Sequence, residues 1–153
     1  MSRSGYSDDC DDNWAMIRWR GYVASAIRGK RGQAFLREML AALDAMPEKK
    51  LIANDLVRGD GCVCAIGAVG KARGVDMSGL DPEDSATVAH AFGINEKLAQ
   101  EIVYLNDEAE WWERDENGNA IREGDSFKKI TPEGRWRRMR AWVANQIKEP
   151  SHD

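Results

Sequence analysis

Apolar residues recur at three- and four-residue spacing along most of the chain, and that period predicts helices. The clearest follows Gly32. Phe35, Leu36, Met39, Leu40 and Leu43 mark one face, Arg37, Glu38 and Asp44 the other, and Pro47 stands past its end. Before it, Asn13 can cap a helix over 14–28 that offers Trp14, Ile17, Val23 and Ile27 to a core, and Gly29-Lys30-Arg31-Gly32 breaks it. Asp81-Pro82-Glu83-Asp84 reads as a further helix start, with an acidic cap, a proline at the first position and negative charge in the first turn. That helix should end at Gly93. Asn95 caps another from Glu96 to about Leu105, burying Leu98, Ile102 and Leu105, with Asn106-Asp107 ending it. Thr131-Pro132-Glu133 starts the last, whose apolar stripe is Trp136, Met139, Trp142, Val143 and Ile147. The apolar stretch Leu51 to Val57 fits one helical turn or an extended segment equally well.

The least polar run, Gly61 to Gly74, consists almost wholly of small residues. As a helix it carries Gly67 and Gly70 internally, each costing roughly 1 kcal/mol relative to alanine, and Gly74 is placed to cap its C-terminus. Close packing of neighbouring helices against a nearly bare backbone would offset that cost, so this segment is expected at the centre of the fold. Between the last two helices the chain changes character. Asn117-Gly118 lies between two short segments of Trp111 to Arg122, the signal of a tight hairpin. The expected fold is therefore mainly α. It is a single compact domain of about six helices over 13–148, with a small β-hairpin insertion near 111–122 inside a loop region 108–130. Residues 1–12 read as a flexible acidic tail and 149–153 as a frayed end.

Composition narrows the class. With 153 residues, 42% hydrophobic and 31% charged, the chain is one globular domain rather than a disordered segment. No apolar run approaches the roughly 18 residues of a membrane span, and Met1 to Asp9 lacks the apolar core of a signal peptide, so a cytosolic protein is expected. Three cysteines, Cys10, Cys62 and Cys64, form a poor disulfide framework and fit a reducing compartment. The net charge of −4 hides a segregation: 13–50 and 127–153 are basic, 95–126 strongly acidic. The simplest reading is that these halves face each other. The alternatives are an acidic surface for a basic partner or a basic surface for nucleic acid.

Candidate chemistry is sparse. Cys62-x-Cys64 with Cys10, His90 or His152 would be an incomplete zinc set, since structural sites show two paired-ligand motifs. Cys64 near a helix start has the position of a reactive thiol, but no histidine is evidently beside it, and both cysteines are better read as small buried side chains. The 81–105 pair is spaced like a helix-turn-helix, yet its second helix opens with Glu96 and carries Glu101, which phosphates repel. No phosphate loop, nucleophile elbow or dinucleotide fingerprint occurs, and no cofactor is called for. Two surfaces remain. The first is the adjacent pair Trp111 and Trp112 among Asp107, Glu108, Glu110 and Glu113, an arrangement like an interface hot spot with a polar rim. The second is the last helix, whose Arg135, Arg137, Arg138 and Arg140, with Arg18, Arg20, Lys30 and Arg31 as additions, would hold phosphates.

Four blocks carry a resemblance: Gly32-Gln33-Ala34-Phe35-Leu36-Arg37-Glu38, Cys64-Ala65-Ile66-Gly67-Ala68-Val69-Gly70, Ile102-Val103-Tyr104-Leu105-Asn106-Asp107 and Thr131-Pro132-Glu133-Gly134-Arg135-Trp136. Together they look like a group of small uncharacterised proteins encoded in bacteriophage and prophage genomes. The Cys-Ala-x-Gly-Ala block followed by Asn-Asp is also similar to a family of small bacterial proteins of unknown function. The resemblance implies the cytosol of an infected or lysogenic bacterium and carries over no activity and no catalytic residue. Residues 108–130 look like the part that varies. The expectation is a non-catalytic accessory protein that binds a host or phage macromolecule, first a protein, including a host defence component, through the tryptophan pair; the alternative is a nucleic-acid-binding protein using the C-terminal arginines. Oligomeric state is left open.

Overall fold

The amphipathic stretch after Gly29 forms the scaffold helix of the computed structural model, which describes residues 3–4 and 13–148. The expected ends at 1–2, 5–12 and 149–153 lie outside the described residues. The described residues form six helices, in chain order α1 Asn13–Arg28, α2 Lys30–Ala45, α3 Ala65–Arg73, α4 Ser85–Phe92, α5 Glu96–Asp107 and α6 Pro132–Gln146. The strands β1 Arg122–Glu123 and β2 Ser126–Phe127 lie between α5 and α6. In α2, Leu36, Met39 and Leu43 are fully buried, each contributing about 2 kcal/mol of apolar transfer. Their face packs against α1, α3 and α6, while α5 packs against α1, α3 and α4.

The small-residue run is the centre that its composition predicts. Cys64 caps α3 by accepting the Gly67 amide on Sγ at 3.4 Å, and every residue from Ala65 to Gly70 is buried. Gly74 closes the helix in the left-handed region (φ 72°), where a side chain would be strained. The close approach differs from the expected helix–helix contact on both sides. The backbone carbonyl of Leu56, in a loop, presses on Gly67, and Met77 with Phe92 of α4 presses on Gly70. That loop settles the ambiguous 51–57 stretch as non-helical, bent at Ala53 and Asn54, with Asn54 at φ 69°, and paired at Val57. The Ile52 amide donates to the Val63 carbonyl (2.9 Å) and the Cys64 amide to the Leu56 carbonyl (3.2 Å), with an antiparallel bridge between Val57 and Val63.

Four expectations about the elements need correction. Only Gly29 breaks α1 from α2. Gly32 lies inside α2, where the Ala26 carbonyl comes so close that a Cβ would sit 1.9 Å from it, so α1 and α2 meet at an abrupt corner. Val23 and Ile27 pack on the core, but Trp14 (72% exposed) and Ile17 (60%) do not, because the first half of α1 runs past the bundle. The helix expected to be capped by Asp81 starts three residues later: Asp84 caps it through the Thr87 amide (3.1 Å). Asp81 and Pro82 build the preceding turn, in which Asp81 accepts the Glu83 amide. Lastly, Asn117-Gly118 does turn a hairpin, closed by the Arg114–Ala120 bridge, but a second turn at Gly124 adds β1 and β2, making a meander over 111–130.

Candidate functional site

The meander is held by its backbone. Glu113, Ile121 and Lys128 are linked in a ring, with the Glu113 amide donating to Lys128, Lys128 to Ile121, and Ile121 to Glu113, at 2.8–2.9 Å. The Ile130 amide donates to the Trp111 carbonyl at 3.0 Å, fixing the start of the segment. Successive side chains of an extended segment point to opposite sides. Accordingly Trp112 turns back and packs against Phe127 (centroids 5.8 Å apart, ring planes inclined by 48°), with the Arg122 guanidinium 5.4 Å over the Phe127 ring. Trp111 is left 67% exposed, and Ile121 and Phe127 are also exposed apolar residues of the meander.

The four carboxylates expected to ring the tryptophans are engaged within the chain instead. Asp107 is buried and forms a bidentate pair with Arg3, Nε to Oδ2 at 2.6 Å and Nη2 to Oδ1 at 2.9 Å. Glu108 accepts the Ser4 hydroxyl at 2.9 Å. Glu110 bridges Arg114 and Arg138, and although burial pushes its carboxyl up, these two guanidinium groups outweigh it and hold the pKa below the ordinary value. Glu113, also buried, accepts the Thr131 amide (2.7 Å) and hydroxyl (2.6 Å), with Arg137 at 3.5 Å. It ties the meander to the cap of α6.

Burial raises the Glu113 pKa, but the Thr131 hydrogen bonds and the nearby cations lower it by more, so the group lies below the usual carboxylate range in the folded protein. A depressed folded pKa means that the contribution is complete above the unfolded value, about 4.3, and is lost as pH falls through the folded one. Glu113→Gln should therefore cost about 1–2 kcal/mol at pH 7 and flatten the loss of stability below about pH 5. Urea unfolding against pH reads this. An acid limb as steep in the variant as in the parent would refute the assignment.

The deeper polar cluster lies where the C-terminus of α5 meets the N-terminus of α3. The Asn106 amide group donates to the Ile52 carbonyl (2.9 Å) and to Asp107 (2.7 Å), and its oxygen accepts the Ala65 amide (3.1 Å), one of the unpaired donors at the start of α3. Arg3 Nη1 reaches Cys64 Sγ at 3.6 Å. Burial alone would lower the Arg3 pKa; Cys64 and the paired Asp107 more than compensate and raise it. Arg3 and Ser4 are buried, so at these two positions the acidic tail expected over 1–12 is anchored in the fold. Nothing in the sequence marked Arg3, since one arginine in a polar acidic stretch has no period and no motif.

The arginines of α6 are likewise held. Arg135 donates to the Asn106 carbonyl, and burial pushes its pKa down. Arg137 and Arg138 face Glu113 and Glu110, and Arg140 pairs with Asp44 (2.6 Å). Arg20 pairs with Glu101 at 2.6 Å. The basic and acidic segments thus largely face each other. The second helix of the supposed helix-turn-helix is buried continuously from Leu98 to Val103, which leaves it unable to enter a groove. Cys62 is half-buried, Cys64 is buried, and His90 is exposed on α4; Cys10 and His152 lie outside the described residues. Among the described residues no three His, Cys, Asp or Glu side chains are grouped to hold a metal, and no helix is long and apolar enough to cross a membrane. Comparison with family models, with curated proteins and with solved structures finds no match.

Proposed function

We propose that this is a non-catalytic accessory protein that docks a partner protein through the aromatic surface of the 111–130 meander, with Trp111 as its anchor. The observation that carries the reading is the 67% exposure of a tryptophan whose backbone is fixed by a hydrogen bond from Ile130. A large aromatic side chain on a fixed backbone offers contact area at little entropic cost. Its polar surroundings differ from the expected acidic ring: the paired Glu110 and Arg114 serve as the rim, while Asp107 and Glu113 act inside the fold. On the opposite side of the meander Trp112 packs against Phe127, which braces the segment that carries Trp111. The resemblance to phage-encoded proteins favours a host or phage protein as the partner.

Trp111→Ala should weaken capture of the partner from a bacterial lysate by about 2 kcal/mol, roughly thirtyfold, without lowering the unfolding midpoint. Capture by the parent should resist nuclease and moderate salt. Retention of the same partner by the variant would overturn the reading, and so would capture that disappears with nuclease, which would point to the arginines of α6.

A further inference from the structure

Where the C-terminal end of α2, the 46–63 loop and α3 meet, the surface opens into a cleft of about 490 Å³. Its lining is mainly apolar: Ala42 and Ala68 face it from the two helices, Met46 and Pro47 from the loop, and Val63 from the segment leading into α3. The charges at its rim are not equivalent. Glu48 and Lys50 pair with each other at 2.9 Å, and Asp60 is held by Arg58 (2.7 Å) and by the Cys62 amide (3.1 Å). Lys71 has only the Gly61 carbonyl, at 3.3 Å, and pairs with no carboxylate among the described residues. An apolar cleft with one uncompensated cation at its edge matches a ligand with an apolar body and a single negative charge.

We propose that this cleft binds a small amphiphilic anion of the apolar carboxylate class, with its hydrocarbon part between α2 and α3 and its carboxylate on Lys71. The site is separate from the meander and does not depend on the docking reading. A carboxylate replaces the long Lys71 contact to a neutral carbonyl with an ion pair, while the apolar body covers surface that is otherwise wet. Cys62 lines the same cleft and is half-buried, so it reports occupancy.

The test is the rate of carbamidomethylation of Cys62 in the full chain carrying Cys10→Ser, read by mass spectrometry, with octanoate, 1-octanol or neither present. Octanoate should protect Cys62 saturably, with a midpoint on the order of 1 mM for a ligand of about ten non-hydrogen atoms. Neutral 1-octanol should need about threefold more or beyond, and Lys71→Glu should raise the octanoate midpoint by a similar factor while leaving that of octanol unchanged. Lys71 is exposed, so the variant keeps the fold, and Lys71→Gln gives the intermediate case. Absence of saturable protection by octanoate overturns the proposal, as does equal protection by octanol, or an octanoate midpoint that both Lys71 variants leave unchanged.

Discussion

Asp107→Ala should lower the unfolding free energy by about 3–5 kcal/mol, a large part of the stability of a domain of this size. The carboxylate sits at the centre of a buried cluster. Arg3 contacts it through two nitrogens, Asn106 donates to it at 2.7 Å and the Asn54 amide at 3.2 Å, while Arg3 itself is 3% exposed. Removing the carboxylate leaves a guanidinium in a nearly dry site and two further donors without their acceptor. The cost is therefore mainly that of stranded polar groups and not of one lost attraction. Arg3→Met together with Asp107→Leu removes both charges and should recover more than half of the loss. Urea unfolding at pH 7 with unchanged m-values measures each step. A loss below about 1 kcal/mol for Asp107→Ala would mean that Arg3 finds water instead, and the N-terminal anchor would not exist.

The same cluster explains why the fold was more legible than the site. Helices announce themselves locally: the 3.6-residue period of α2, the cap residues Asn95 and Thr131, and the terminal Gly74 and Gly93 are each readable within a few positions, and all take those roles. The start of α4 misled because Asp81-Pro82 satisfies the cap pattern as well as Asp84 does. Only the backbone decides that Asp81 serves a turn. Trp14 and Ile17 misled for another reason, since periodicity gives the apolar face of α1 but not how far the neighbouring helices extend along it. Pairings across the chain carry no local signal. Arg3 finds Asp107 at a separation of 104 residues, and Glu113 finds Thr131 only once the meander has folded back. Charge segregation announced that acidic and basic segments would meet. It could not say that the carboxylates beside Trp111 would be the ones to pair, leaving the aromatic side chain as the exposed feature.

Gly67→Ala tests the centre of the fold, and should cost about 3 kcal/mol or more despite the better helix propensity of alanine. A Cβ at this position would lie 2.0 Å from the Leu56 carbonyl oxygen and 3.0 Å from both its carbon and the Val63 Cβ. The carbonyl cannot simply swing aside. It accepts the Cys64 amide at 3.2 Å, so moving it loosens the residue that caps α3 and shifts the loop whose Ile52 carbonyl accepts from Asn106. Gly70→Ala is the matched control. Its Cβ would meet the Met77 Sδ at 2.4 Å, in a flexible side chain able to change rotamer, and the Phe92 ring at 3.1 Å, which needs to give by only a few tenths of an ångström, so the gain of about 1 kcal/mol in propensity should offset most of the crowding. Unfolding in urea should then place Gly70→Ala within about 1 kcal/mol of the parent and Gly67→Ala far below it. Equal costs at the two positions would show that side-chain crowding, and not the Leu56 backbone, limits the packing of α3. The bare face of that helix would then have to be explained from the α4 side.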